Sequence, residues 1–198
     1  HTGAVIDGDQ LTYAIAKHRQ GLGRLRDAVV GTQMSNFGLE LALRECGLEF
    51  HRAKVGDRYI MEMLTSNGWL LGGESSGHII CLDITSTGDG IIAALQVLEA
   101  MLMAGQPLAS LVDGMQMFPQ HMVNVRLAER VDISASPSVL AAVAATEARL
   151  KGEGRVLLRP SGTEPVIRVM VEGRQADEVE ALACELAAVV SRSLAAGG

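Results

Sequence analysis

The 198 residues suffice for one large or two small domains, and with 48% hydrophobic but only 3% aromatic content the cores must be built from Leu, Val, Ile, Ala and Met. The net charge is −6 and the lysines and arginines are scattered, which argues against a nucleic-acid surface, where a basic stripe is needed. An anionic small ligand stays open, because a pocket can be locally positive in an acidic protein.

In chain order, His1-Thr2-Gly3-Ala4 reads as a hairpin turn cut from a longer protein, and Val5-Ile6 as the end of a short strand. Asp7-Gly8-Asp9 then leads into helical spacing over residues 10–18. Two carboxylates around a glycine could offer hard oxygen ligands to magnesium. The preferred reading is structural: Asp9 caps the helix and Asp7 supports the turn. Strands are predicted over 27–31, 48–54, 69–72 and 78–82, and helices over 32–47, 56–67 and 88–103. This alternation implies an α/β unit with a mixed, largely parallel sheet. A short helix over 107–112 follows, and the pattern breaks at 115–119.

From there the order changes. Strand 120–126, Ala-rich helix 137–150, strands 155–158 and 166–171, and an amphipathic helix over 177–194 predict a small α+β domain with a mostly antiparallel sheet. The tail 195–198 is expected to be disordered. Three cysteines, Cys46, Cys81 and Cys184, are odd in number and lack metal-type spacing; their apolar or helical contexts fit reduced, buried thiols and a cytoplasmic protein. No apolar run has membrane-spanning length, and the N-terminus carries no secretory pattern.

Two stretches carry chemistry. In Arg159-Pro160-Ser161-Gly162-Thr163-Glu164-Pro165-Val166-Ile167-Arg168, two strands flank a turn that offers two hydroxyls, a glycine for close backbone approach and two guanidiniums. That combination suits a phosphate. The competing reading is a hairpin whose arginines pair with surface carboxylates. Along the second strand, Val166, Arg168 and Met170 share one face. In Gly73-Glu74-Ser75-Ser76-Gly77-His78, an extended segment would turn Glu74, Ser76 and His78 the same way. A carboxylate, a hydroxyl and an imidazole together suit a polyhydroxylated ligand; the competing reading is a turn carboxylate and a strand-initial histidine. A third stretch, Lys54-Val55-Gly56-Asp57-Arg58-Tyr59, reads locally as a strand break with Asp57 capping the next helix. Thr85-Ser86-Thr87-Gly88-Asp89-Gly90 is glycine-rich but lacks the lysine of a Walker loop, and reads as the cap of the long helix. His18, His51 and His121 have no ligand-type spacing and read as surface or interface residues. No nucleophile–base arrangement is present.

The ten-residue string resembles the phosphate-binding loop in the last domain of the α-D-phosphohexomutases, in their bacterial phosphoglucosamine mutase branch. The Glu74 stretch resembles the sugar loop of the domain before it, and the likeness runs from the first residues to about Ala188. It implies residues 1–7 as the tail end of a metal-loop domain, 8–116 as the α/β sugar-binding domain and 117–198 as the phosphate-binding domain. Members have four domains around one cleft, the first carrying a phosphoserine and the second a magnesium loop. By the resemblance the magnesium ligands lie before residue 1, and this chain holds no metal and no catalytic residue. It further implies sugar binding by Glu74 and Ser76 with His78 close by, and phosphate binding by Arg159, Ser161, Gly162, Thr163 and Arg168. Lys54, Asp57 and Arg58 would line the cleft. The implied reaction interconverts glucosamine 6-phosphate and glucosamine 1-phosphate through a bisphosphate, for UDP-N-acetylglucosamine and peptidoglycan precursors. The fragment alone is expected to be inactive. Its implied partners are the amino sugar phosphate and the other domains of the same protein, with a homodimer left open and no nucleic acid or membrane. Gly162 after the loop serine favours the glucosamine branch, since the mannose/glucose branch tends to carry Asn there. A phosphomannomutase/phosphoglucomutase, or a non-catalytic sugar-phosphate module, stands as the alternative.

Overall fold

The computed structural model describes residues 3–25, 27–126, 136–161 and 164–196, the last three without their side chains. It divides into two compact units, His1–Met117 and Phe118–Gly198.

The first unit runs α1 (Gly8–Gly21), β1 (Ala28–Thr32), α2 (Phe37–Glu45), β2 (Glu49–Ala53), α3 (Asp57–Asn67), β3 (Leu71–Gly73), β4 (Ile79–Cys81), α4 (Gly90–Ala104) and α5 (Leu108–Val112). Its sheet has the order β2-β1-β3-β4. β1 is parallel to both neighbours, and β4 returns antiparallel to β3. All five β1 residues are buried, as a central parallel strand covered on both faces requires. Alternation along it divides the core: Val29 packs with Ile15, Leu39, Leu43 and Val97 from α1, α2 and α4, whereas Val30 packs with Ile60 and Leu64 of α3. The mixed, largely parallel sheet expected from the sequence is therefore present.

Three local expectations are corrected. Residues 3–7 form no strand, and Val5 is 89% exposed. The cap of α1 is Asp7, not Asp9: Asp7 Oδ1 accepts from the Gln10 N–H at 3.0 Å while Gln10 Oε1 accepts from the Asp7 N–H at 3.1 Å. This reciprocal box satisfies two donors at once. Asp9 falls inside the first turn, buried, where Oδ2 accepts from the Asn36 N–H at 2.7 Å. The helix expected over 32–47 begins only at Phe37, because Asn36 caps it by accepting from the Gly38 N–H at 2.9 Å. Asp89 does cap α4, accepting from the Ile91 and Ile92 N–H groups. The side of α4 away from the core exposes Ile91, Leu95, Leu98 and Leu102.

The second unit runs β5 (Gln120–Arg126), α6 (Pro137–Leu150), β6 (Gly154–Pro160), β7 (Val166–Gly173) and α7 (Ala176–Ala196). Its sheet has the order β5-β7-β6 and is antiparallel throughout, as expected. Ile167, Val169 and Val171 of β7 pack with Val179, Leu182, Leu186 and Val190 of α7. Val166, Arg168, Met170 and Glu172 take the other face. There the fully buried Glu172 accepts from Arg155 Nε at 2.6 Å and from Gln120 Nε2 at 3.0 Å.

Candidate functional site

In the first unit the β3/β4 hairpin carries the candidate sugar residues. The segment is not extended: Glu74 N–H donates to the His78 carbonyl at 3.1 Å and Gly77 N–H to the Glu74 carbonyl at 2.9 Å. Gly77 adopts φ 95°, which a side chain would resist. The three side chains therefore do not line up along one face of an extended strand. Glu74 and His78 meet as neighbours across the hairpin, and Ser76 stands exposed near its tip.

Two other segments hold this hairpin. Gly8 N–H donates to the Ser75 carbonyl at 3.0 Å, and a Cβ at Gly8 would stand 2.0 Å from the Glu74 carbonyl oxygen. A Cβ at Gly88, in the loop before α4, would stand 2.3 Å from His78 Nε2. The start of α3 reaches the same place. Glu74 Oε1 accepts from the Gly56 N–H at 3.0 Å, and Asp57 Oδ2 lies 3.6 Å from His78 Nδ1. Asp57 is not the α3 cap. Gly56 takes that position without a side-chain bond, and Asp57 Oδ1 accepts from the adjacent Arg58 N–H at 2.7 Å. Lys54 is exposed with Nζ 5.7 Å from the Tyr59 ring centre, and Arg58 is exposed without an ion pair among the described residues. In the sequence, Gly56 signals only a strand break and Gly88 only part of a helix cap. Their hold on Glu74 and His78 is a long-range contact with no local signal.

In the second unit, Arg159 of β6 stands directly opposite Arg168 of β7. Direct opposition puts both side chains on one face of the sheet. Both are half-buried, and neither forms an ion pair with a carboxylate among the described residues. Like charges so placed repel, and a bound anion would offset the repulsion. The buried Ser161 closes the turn: its N–H donates to the Val166 carbonyl at 2.9 Å, and its Oγ accepts from the Glu164 N–H at 3.3 Å. Gly162 and Thr163 lie outside the described residues. Arg126, opposite Val166, brings a third guanidinium to this end of the same face. The sequence reading missed it, because only the strand register reveals it.

Among the described residues, three groups titrate away from their usual range. Burial, with Asp7 as a lesser cause, raises the Asp9 carboxyl from 3.8 to about 6. Burial chiefly pushes Tyr13 up to about 12 and raises the Cys81 thiol. The expectation of three buried thiols is corrected: Cys81 is buried, Cys46 half-buried and Cys184 exposed on α7. Among the described residues no group of three or more His, Cys, Asp or Glu could hold a metal ion. Asp7 Oδ1 is engaged in the cap of α1 and Asp9 Oδ2 by the Asn36 N–H, while Asp9 Oδ1 is enclosed without a hydrogen-bond partner. Among the described residues no helix is long and apolar enough to cross a membrane.

Against this geometry, two family models match: phosphoglucomutase/phosphomannomutase α/β/α domain III over residues 7–118, and the phosphoglucomutase/phosphomannomutase C-terminal domain over 122–189. The phosphoglucosamine mutase of Teredinibacter turnerae is 58% identical over 191 residues, covering 96% of this chain and 43% of the relative. That of Methylococcus capsulatus is 56% identical over 196 residues, covering 99% of this chain and 44% of the relative. The chain therefore spans less than half the length of these curated relatives. Among solved structures, Aspergillus fumigatus N-acetylphosphoglucosamine mutase in complex with GlcNAc-6P and magnesium has a similar fold. Its TM-score is 0.77 at 21% identity, over 94% of this chain and 47% of that one.

Proposed function

Because this chain belongs to the phosphoglucomutase/phosphomannomutase family, we propose that it supplies the sugar and phosphate contacts of a phosphoglucosamine mutase, which interconverts glucosamine 6-phosphate and glucosamine 1-phosphate. Arg159, Ser161, Gly162, Thr163 and Arg168 hold the phosphate that is not reacting. Glu74 and Ser76 bind sugar hydroxyls, with His78 beside them and Lys54, Asp57 and Arg58 lining the same neighbourhood. Such contacts work by positioning and by neutralising phosphate charge before the transfer begins. The phosphoserine donor and the magnesium ligands come, in this reading, from other domains of the same protein. Magnesium, when bound, neutralises charge on the phosphoryl group being moved. A homodimer and a cytoplasmic setting complete the proposal, the latter supported by three free cysteines.

One observation carries the reading: Arg159 and Arg168 stand opposite each other on β6 and β7, and neither forms an ion pair among the described residues. Relatives at 56–58% identity that are phosphoglucosamine mutases support the amino sugar over mannose or glucose. Titrating this chain with glucosamine 6-phosphate should give weak, magnesium-independent binding and no turnover. Arg159→Ala and Arg168→Ala should each weaken that binding roughly 10- to 100-fold, the worth of one charge-assisted contact. Binding untouched by both substitutions would refute the clamp. Whole protein that turns over mannose or glucose phosphates but not glucosamine phosphates would refute the amino sugar.

A further inference from the structure

Resting on that amino sugar reading, we propose that Asp57 determines substrate specificity by pairing with the ammonium group at C2 of the sugar. Glucosamine differs from glucose at one position, where an amine, positively charged when protonated, replaces a hydroxyl. Ser76 is neutral and serves any hexose. Glu74 has one oxygen committed to the Gly56 N–H, and its hydroxyl contacts are common to all the candidate sugars. Whereas Asp7 and Asp89, next to Gly8 and Gly88, are engaged in the caps of α1 and α4, Asp57 is a further carboxylate at this hairpin. Its Oδ1 is anchored on the Arg58 N–H at 2.7 Å, which fixes the plane of the group. Its Oδ2 lies 3.6 Å from His78 Nδ1, longer than a hydrogen bond, so that oxygen is oriented by the imidazole without being consumed by it. The side chain is 53% exposed and thus open to a ligand. Lys54 stands over the Tyr59 ring and Arg58 is exposed; neither forms an ion pair with Asp57. A carboxylate in that state favours an ammonium over a hydroxyl, because only the charged donor makes a charge-assisted bond.

The competing role is structural: Asp57 would merely hold His78 in place. Sugar discrimination separates the two. In the full-length protein, kcat/KM is measured for glucosamine 1-phosphate and glucose 1-phosphate, or a competitive Ki where glucose turnover is too slow. Asp57→Asn keeps an acceptor for the Arg58 N–H and removes only the charge, and Asp57→Ala serves as a second variant. The expected result is a loss of about 10- to 100-fold on the glucosamine substrate and under about 3-fold on the glucose substrate. Equal losses on both sugars would make Asp57 a positioning residue and overturn the assignment, as would no loss on either. Wild-type protein without glucosamine phosphate turnover would instead overturn the function proposed above, and this inference with it.

Discussion

Asp9 offers a direct test of how burial governs the first unit. Its side chain is 1% exposed, in the first turn of α1, with one oxygen on the Asn36 N–H and the other enclosed without a partner. Burial outweighs the Asn36 N–H, the nearby Ser35 hydroxyl and Arg52, all of which lower the carboxyl, and Asp7 adds to the rise. A carboxyl raised from 3.8 to about 6 on folding stabilises the fold fully only below 3.8, and that contribution disappears as pH rises through about 6. The whole effect is about 3 kcal/mol, of which about 2 kcal/mol falls between about pH 4.5 and pH 8. Asp9→Asn removes the titration while keeping an acceptor for Asn36. Urea unfolding followed by Trp69, the only tryptophan and a residue of the first unit, reads the stability of that unit. The variant should gain about 2 kcal/mol relative to wild type between those two pH values, whatever its offset at the lower one. Curves that stay parallel across the range would refute the argument, because a carboxyl with an ordinary pKa cannot distinguish the two conditions.

Three further outcomes are expected. Arg168→Ala relieves the opposition with Arg159, so the second unit should unfold at equal or higher urea by circular dichroism; a loss above about 1 kcal/mol would mean the arginines support the sheet rather than a ligand. Gly88→Ala brings a methyl against the His78 ring and should weaken glucosamine phosphate binding in the full-length protein while barely moving the melting temperature; unchanged binding would remove His78 from the sugar contacts. Glu172→Ala leaves Arg155 half of a buried pair and should cost about 3 kcal/mol or more in the second unit, a reading overturned by a change below about 1 kcal/mol.

What the sequence disclosed depended on whether the signal was local. Residues 120–126 and 137–150 read correctly to their ends, because strand composition and a proline at the helix start are local facts. The exchange of Asp7 and Asp9 was legible in principle: Asp7 and Gln10 stand at capping-box spacing, three apart. The helix expected over 32–47 starts five residues too early and ends two too late, since apolar spacing continues through a segment that Asn36 interrupts with its own side chain. At the candidate site, the residue types were legible and their relations were not. Glycine at 77 signalled a turn, yet the alternation of Glu74, Ser76 and His78 favoured an extended reading. The opposition of Arg159 and Arg168, and the arrival of Arg126 beside them, depend on register across three strands. No window of sequence contains that information.

The two loops share a physical character that stability alone does not account for. In the second unit two guanidiniums oppose each other, and in the first the carboxylates Glu74 and Asp57 both reach the start of α3 beside one imidazole. Each arrangement sets like charges on a backbone with little room to relax: a Cβ at Gly8 would meet the Glu74 carbonyl oxygen and the Gly77 backbone, and β7 is the central strand of its sheet. Directly opposed guanidiniums on paired strands cost stability, which the core on the other face of β7 offsets. A phosphate complements the guanidinium arrangement, and an ammonium complements the carboxylate one. A protein that holds charge of each sign ready before binding avoids the reorganisation that water would otherwise have to undergo at the moment of transfer. On this argument the fixed backbone is as much a part of specificity as the charges, because a carboxylate free to turn toward a nearby lysine or arginine would no longer distinguish an ammonium from a hydroxyl.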